Sequence, residues 1–234
     1  MKSNKEQLSA RGYLTDEAAE KFEVMNEQDF IQLLHSKISC ERTAAVRFLG
    51  HTKKNEFIPM FIELLKNEKK LYVNLELINC LSAYKQAAVN PLIALLGTIG
   101  NNQHTIAAKI DLKKKSYPLP RDISARILIK IGPDALKELE NTVISGLKPQ
   151  ASEAIDCIGY ISFYYNCFES EKVLFEALNK YADDRLIIWK IIRAFQSFRG
   201  PKVIEYLNSI AAGNDDILKA EALRSIERIK RRKL

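Results

Sequence analysis

The chain has 234 residues, enough for one large domain or a continuous array of repeats. Hydrophobic residues make up 47% and charged residues 28%, with 9 Gly and 7 Pro, which excludes a long disordered or linker-rich chain. The formal charge of +7 is concentrated rather than spread: residues 224–234 carry +5 and residues 103–121 carry +4, leaving −2 for the rest.

Residues 1–27 are mostly polar. The opening Met1-Lys2-Ser3-Asn4-Lys5-Glu6 has charge but no apolar core after it, so no signal peptide is expected. Within this segment Thr15-Asp16-Glu17-Ala18-Ala19-Glu20-Lys21-Phe22 reads as a short capped helix that covers the first repeat. The rest, residues 28–234, reads as one repeat array. The longest uncharged stretch, residues 86–108, is interrupted by Asn90, Pro91, Asn101, Asn102, Gln103 and His104 and makes a poor membrane span. A cytoplasmic protein with no membrane contact is the expectation.

One apolar pattern recurs along the array. It reads Phe30-Ile31-Gln32-Leu33-Leu34, Phe61-Ile62-Glu63-Leu64-Leu65 and Leu92-Ile93-Ala94-Leu95-Leu96, then Leu174-Phe175-Glu176-Ala177-Leu178 and Val203-Ile204-Glu205-Tyr206-Leu207, with a weaker copy at 136–139. Each spacing gives one apolar helix face. A second helix is predicted after each first one, in ten-residue blocks at 41–50, 73–82, 123–132, 150–159, 187–196 and 218–227. Their fifth, sixth and ninth residues are Ala45/Val46/Leu49, Leu77/Ile78/Leu81, Ile127/Leu128/Ile131, Ala154/Ile155/Ile158, Ile191/Ile192/Phe195 and Ala222/Leu223/Ile226. All are apolar and lie on one face of a helix. An all-α fold of five or six helix pairs follows. Gly50, Gly132 and Gly159 end three of the blocks, where a left-handed glycine can close a helix. About 18 extra residues, 102–120, interrupt the third pair, and Lys113-Lys114-Lys115-Ser116-Tyr117-Pro118-Leu119-Pro120 cannot continue a helix past its prolines. Insertions in repeat arrays form loops on one face, often the binding face.

The second helix of HEAT repeats reads roughly V-R-x-x-A-x-x-A-L-G. The run Arg42-Thr43-Ala44-Ala45-Val46-Arg47-Phe48-Leu49-Gly50 resembles it best, and 123–132 and 151–159 keep its ending. The resemblance is to the short bacterial HEAT repeats also seen in phycobilisome lyases, and it covers residues 28–234. The fifth copy departs from it, with Trp189 and Gln196 where small residues are usual. The resemblance implies a right-handed α-α superhelix, a HEAT-like or armadillo-like solenoid, whose second helices line a concave surface. It implies little about function, because such folds host many unrelated roles.

On that surface, the third and seventh residues of each block point away from the apolar face and stand one turn apart. The pairs are Thr43/Arg47, Leu75/Asn79, Ala125/Ile129, Ser152/Asp156, Trp189/Arg193 and Ala220/Arg224. Trp and Arg dominate binding hot spots, and Arg stacks on indole. Arg47, Asn79, Trp189, Arg193 and Arg224 are therefore the candidate partner-binding residues. The alternative for Trp189, the single tryptophan, is packing against a neighbouring helix. Lys113, Lys114, Lys115, Arg228, Arg231 and Arg232 are candidate contacts to nucleic acid or an acidic partner; the alternative is a soluble end cap that complements the helix dipole. Tyr160, Phe163, Tyr164, Tyr165 and Phe168 form an aromatic cluster, either a stacking platform or core.

No catalytic motif such as G-x-x-x-x-G-K-[ST], G-x-S-x-G or H-E-x-x-H occurs. Asp183-Asp184 is explained as a helix cap. The three histidines, 35, 51 and 104, are scattered, and Cys40, Cys80, Cys157 and Cys167 form no C-x-x-C pair, so neither metal nor cofactor is expected. The alkylpurine DNA glycosylases, another helical-repeat family, are similar in size and basicity, but here Lys190 rather than an acid follows the tryptophan. The expected function is a non-catalytic scaffold for a protein or peptide. The alternative is a nucleic-acid-binding repeat protein, related to DNA repair, that uses the basic loop and tail.

Overall fold

A computed structural model of the protein describes residues 4–109 and 116–232. Among these residues all regular secondary structure is helical. The chain packs as two compact units, Met1–Pro91 and Leu92–Leu234.

The first unit begins with two short helices, α1 (Lys5–Ser9) and α2 (Asp16–Ala19). Asn4 and Thr15 cap them by accepting hydrogen bonds from the amides of Gln7 and Ala18. Two helix pairs follow, α3 (Glu27–Leu33) with α4 (Ser39–His51), and α5 (Ile58–Asn67) with α6 (Leu71–Ser82). A capping box between Asn26 and Asp29 starts α3. Helix α4 packs on α3 and on α6, and α5 packs on α6. Phe22, just after α2, is buried and meets Phe30 of α3 at 6.4 Å between ring centroids. The preceding stretch crosses the second helices. Ser39 Oγ donates to the carbonyls of Ser9 and Ala10, and Thr43 Oγ1 donates to Gly12 O at 2.7 Å. The Tyr72 amide donates to Arg11 O at 3.0 Å. Gly12 takes a φ of +90°, and a β-carbon there would sit 2.8 Å from Val73 Cγ2, so this crossing requires glycine.

Helix α7 (Gln86–Ile93) leads to the second unit. That unit comprises α8 (Ile123–Ile131), the pair α9 (Leu136–Ser145) and α10 (Lys148–Tyr165), the pair α11 (Glu171–Lys180) and α12 (Arg185–Ala194), and the pair α13 (Pro201–Ala211) and α14 (Asp216–Arg231). Second helices pack in series, α8 on α10, α10 on α12 and α12 on α14; α9 packs on α11 in a parallel row. Asp122, Asp184 and Asp215 cap α8, α12 and α14 through their side chains, and Pro149 and Pro201 stand in first turns, where a missing N–H is harmless.

Of the eighteen apolar positions that define the second-helix pattern, sixteen are buried; Ile78 is intermediate and Leu223, on the last helix, is 52% exposed. Burial of each Leu or Ile side chain contributes roughly 1.5–3 kcal/mol, so this seam is the main source of cohesion. The glycines that end three blocks behave differently from one another. Gly132 does take a positive φ, +82°, at the end of α8. Gly50 and Gly159 lie inside α4 and α10. They are glycine because another group comes too close: a β-carbon at Gly50 would meet Cys80 Sγ, and one at Gly159 would meet the Tyr117 hydroxyl and Ala194 Cα. Cys40, Cys80 and Cys157 are buried as small apolar groups.

Candidate functional site

The site lies on the second helices of the Leu92–Leu234 unit, beneath the segment that breaks the repeat. Asp122 closes the base of that segment. Fully buried, it caps Ala125 with one oxygen and accepts from the Gly97 amide (3.1 Å) and Gln103 Nε2 (2.9 Å) with the other. The segment's early part then lies over α12: the His104 ring meets Trp189 edge-on at 5.0 Å. Its late part lies over α10. Tyr117 is 3% exposed and packs against Tyr160 and Phe163, with its hydroxyl beside Gly159.

Under this roof the charged residues of α10, α12 and α14 form a ladder. The fourth residues of their blocks are Glu153, Lys190 and Glu221, and the seventh are Asp156, Arg193 and Arg224. Three residues apart, they share one helix face. Lys190, wholly buried, donates to Glu153 Oε1 at 2.6 Å and Ser152 O at 3.1 Å, and pairs with Asp156 Oδ2 at 2.9 Å. Arg193 stacks 3.8 Å above the Trp189 ring and lies 3.9 Å from Asp156 and 3.7 Å from Glu221. Arg224 donates to Glu221 and to Gln196 Oε1.

Two carboxylates therefore share one ammonium at the α10 end. Glu153 Oε2 has no hydrogen-bond partner, nor has Ser152 Oγ. Burial pushes the Glu153 carboxyl up to about 7, against the pull of Lys190. Lys190 goes the other way: Asp156 and Glu153 raise it despite burial, so it stays an ammonium. Burial, with Arg193 nearby, pushes His104 down to about 4, leaving a neutral ring at ordinary pH. Beside these groups is a cavity of about 440 Å³, with Asn101, Gln103 and His104 above and Ser152, Glu153 and Leu186 below. Lys148 stands at its edge, paired with Asp184. The arrangement offers hydrogen-bond acceptors and fixed charges. Lys190 has no lone pair to use as a nucleophile, and among the described residues no group of three His, Cys, Asp or Glu side chains is placed to hold a metal ion.

The sequence-derived candidates fall into three sets. Trp189 is buried, as its packing alternative has it, and Arg193 is buried with it rather than facing outward: they are 0% and 3% exposed, with His104 of the interrupting segment against the Trp189 ring and Arg193 stacked on that ring. Arg224 is half-buried and joins the same ladder through Glu221. Arg47 and Asn79 lie in the other unit and remain accessible. Arg47 pairs with Glu76 at 2.9 Å and, with Leu14, Phe22, Phe30, Phe48 and His51, lines a cavity of about 310 Å³; Asn79 stands one turn from Leu75, which is 44% exposed. Of the basic set, the three described members are engaged within the chain. Arg228 is buried, Arg231 pairs with Glu227, and Arg232 stacks on Phe163 and donates to the carbonyl oxygens of Phe163 and Ser197 and to Asn166 Oδ1. Lys113, Lys114 and Lys115 lie outside the described residues. In the aromatic cluster, Tyr160 and Phe163 pack under Tyr117, while Tyr164, Tyr165 and Phe168 are exposed.

Sequence reasoning missed Glu153, Lys190 and Glu221. A signal was present but not selective: the fourth block position, next to the buried fifth, is charged in five successive copies, Glu76, Arg126, Glu153, Lys190 and Glu221, of which only the last three are buried. Among the described residues no helix is long and apolar enough to cross a membrane. Compared with protein-family models and with curated proteins, the chain matches none of them.

Proposed function

We propose that the chain is a non-catalytic scaffold of the cytoplasm, built of HEAT-type helix pairs wound into a right-handed superhelix, that binds a protein or peptide along its second helices. One observation carries this reading: in each unit the second-helix face already holds another stretch of the chain itself, the end of α1 and the turn after it in the first unit and a loop in the second. In the first unit Ser39 and Thr43 read the carbonyls of Ser9, Ala10 and Gly12. In the second, Trp189 and Gly159 receive His104 and Tyr117. Such a face has the chemistry of peptide recognition, with donors for main-chain carbonyls and recesses for side chains.

The accessible part of that face is in the first unit, around Arg47, Phe48, Leu75 and Asn79. It combines exposed apolar groups with a half-exposed ion pair, the mix that favours a protein partner. Among the described residues, Arg228 is buried, Arg232 is bonded within the chain and Arg231 keeps an exposed pair with Glu227, so the tail offers little free charge to nucleic acid.

The test is affinity capture from extracts of the source cells with the wild-type chain and with Arg47→Glu/Leu75→Glu. A protein retained by the wild type and by Arg231→Glu, but lost by the double variant, supports the reading. An identical set on all three, or capture that is only nuclease-sensitive, contradicts it.

A further inference from the structure

We propose that the cavity beneath the interrupting segment is a binding site for a small organic cation, a guanidinium or primary ammonium, seated against Glu153 Oε2 and Ser152 Oγ. This goes beyond the scaffold reading and does not depend on it.

The argument starts from what the buried groups lack. Glu153 is 2% exposed and Ser152 is 5% exposed, both line the cavity, and each keeps a polar atom without a partner. A buried carboxylate oxygen with no donor is costly; burial answers by holding a proton on Glu153 up to about pH 7, and a cation seated at Oε2 would take that proton's place. The local charge has the same sense. Glu153 and Asp156 share the ammonium of Lys190, while the compensating guanidinium of Arg193 is directed to Asp156, Glu221 and Trp189, away from Glu153. At the cavity end Glu153 has Lys190 alone as its cation, while Asp156 is reached by both Lys190 and Arg193.

The remaining walls agree. His104 is neutral, and its ring can accept a hydrogen bond. Pro149 and Leu186 give an apolar side for a hydrocarbon stem. Lys148 does not oppose a cation strongly, because Asp184 already neutralises it. An anion is disfavoured, since the donor-starved carboxylate would meet it. At about 440 Å³ the cavity has the size of a small-ligand site. The cation comes either as a free small molecule or as the end of a Lys or Arg side chain on a peptide.

Trp189, the single tryptophan, lies under His104 and reports occupancy. The experiment titrates the full chain with methylguanidinium and n-butylammonium chloride, with the neutral analogues methylurea and n-butanol, and with short acetylated peptides centred on Arg or Lys, following tryptophan emission and binding heat. Saturable binding of a cation, at least tenfold tighter than its neutral analogue, is expected. Glu153→Gln should weaken it at least tenfold, and Leu186→Arg, which supplies a tethered guanidinium at the wall, should block it. A peptide that binds more tightly than the free cation identifies the source as a protein side chain, and the reverse order identifies a small molecule. No saturable cation binding, or equal binding by wild type, Glu153→Gln and Leu186→Arg, overturns the proposal. Should Glu153→Gln fail to fold, Leu186→Arg alone decides.

Discussion

The two units use the same repeat positions to opposite ends. In the first, the seventh residue of one block, Arg47, pairs with the fourth residue of the next, Glu76, and both side chains keep contact with water, at 33% and 18% exposure. In the second, five of the six fourth and seventh residues of three successive blocks are sealed, with Arg224 half-buried: the Lys190 and Glu153 side chains are 0% and 3% exposed. What differs is the covering segment. Residues 9–12 cross α4 and α6 with backbone carbonyls, which take the Ser39 and Thr43 hydroxyls and the Tyr72 amide as donors, and leave Arg47 open. The segment between Gly97 and Asp122 brings His104 and Tyr117, large rings that exclude water from α10 and α12. An interaction that is marginal in the first unit thus becomes decisive in the second, because dielectric screening has been removed.

The largest expected effect breaks the sealed ladder. Lys190→Met leaves two buried carboxylates without their shared cation, and should cost about 3–5 kcal/mol in denaturant unfolding. Trp189→Ala should cost a similar amount, about 3–5 kcal/mol, by opening a cavity beneath the roof. A loss near zero for Trp189→Ala would instead place its side chain at an open surface. Gly159→Ala forces Tyr117 out of its seat and should cost about 1–3 kcal/mol; in the Tyr117→Ala background the same change should cost less, the remainder coming from the close approach of Ala194 Cα, and a double-mutant cycle measures the coupling.

A smaller effect concerns pH. The Glu153 carboxyl is raised in the folded chain to about 7 from a usual value of 4.5, so the folded state binds its proton more tightly than the unfolded chain does. Its stabilising contribution is full below about 4.5 and is lost as pH rises through about 7. His104, lowered to about 4, acts in the opposite sense: its contribution is present above about 6.5 and is lost as pH falls through about 4. Wild type therefore gains relative to Glu153→Gln on acidification, and loses relative to His104→Phe. Unfolding midpoints of the three proteins across this range check both signs. The smallest effect is in the first unit: Arg47→Ala should change stability by less than about 1 kcal/mol.

The helical architecture was legible in the sequence because apolar spacing is a local signal. The fifth, sixth and ninth positions of the blocks bury as the periodicity predicts, and Asp184 and Thr15 cap helices as their residue types suggest. What escaped the sequence was long-range. Periodicity assigns Trp189 and Arg193 to the side away from the core, and nothing local records that a segment some eighty residues earlier lies on top of them. Gly50 and Gly159 looked like helix ends for the same reason; Cys80 and Tyr117, the groups that require glycine there, are distant in sequence. Leu223 shows the reverse case, an apolar position left 52% exposed on the last helix. Comparing charges at one position across copies does not single out the ladder of Glu153, Lys190 and Glu221, since Glu76 and Arg126 carry charge there too without being buried.

The most direct test of the sealed second unit uses its single tryptophan. Acrylamide quenching of Trp189 emission in the intact chain, compared with His104→Ala/Tyr117→Ala, asks whether the interrupting segment covers the second helices. Weak quenching in the wild type that rises in the variant, with helicity retained, is the predicted result. Strong quenching in the wild type, unchanged in the variant, would contradict a covered, water-excluded ladder.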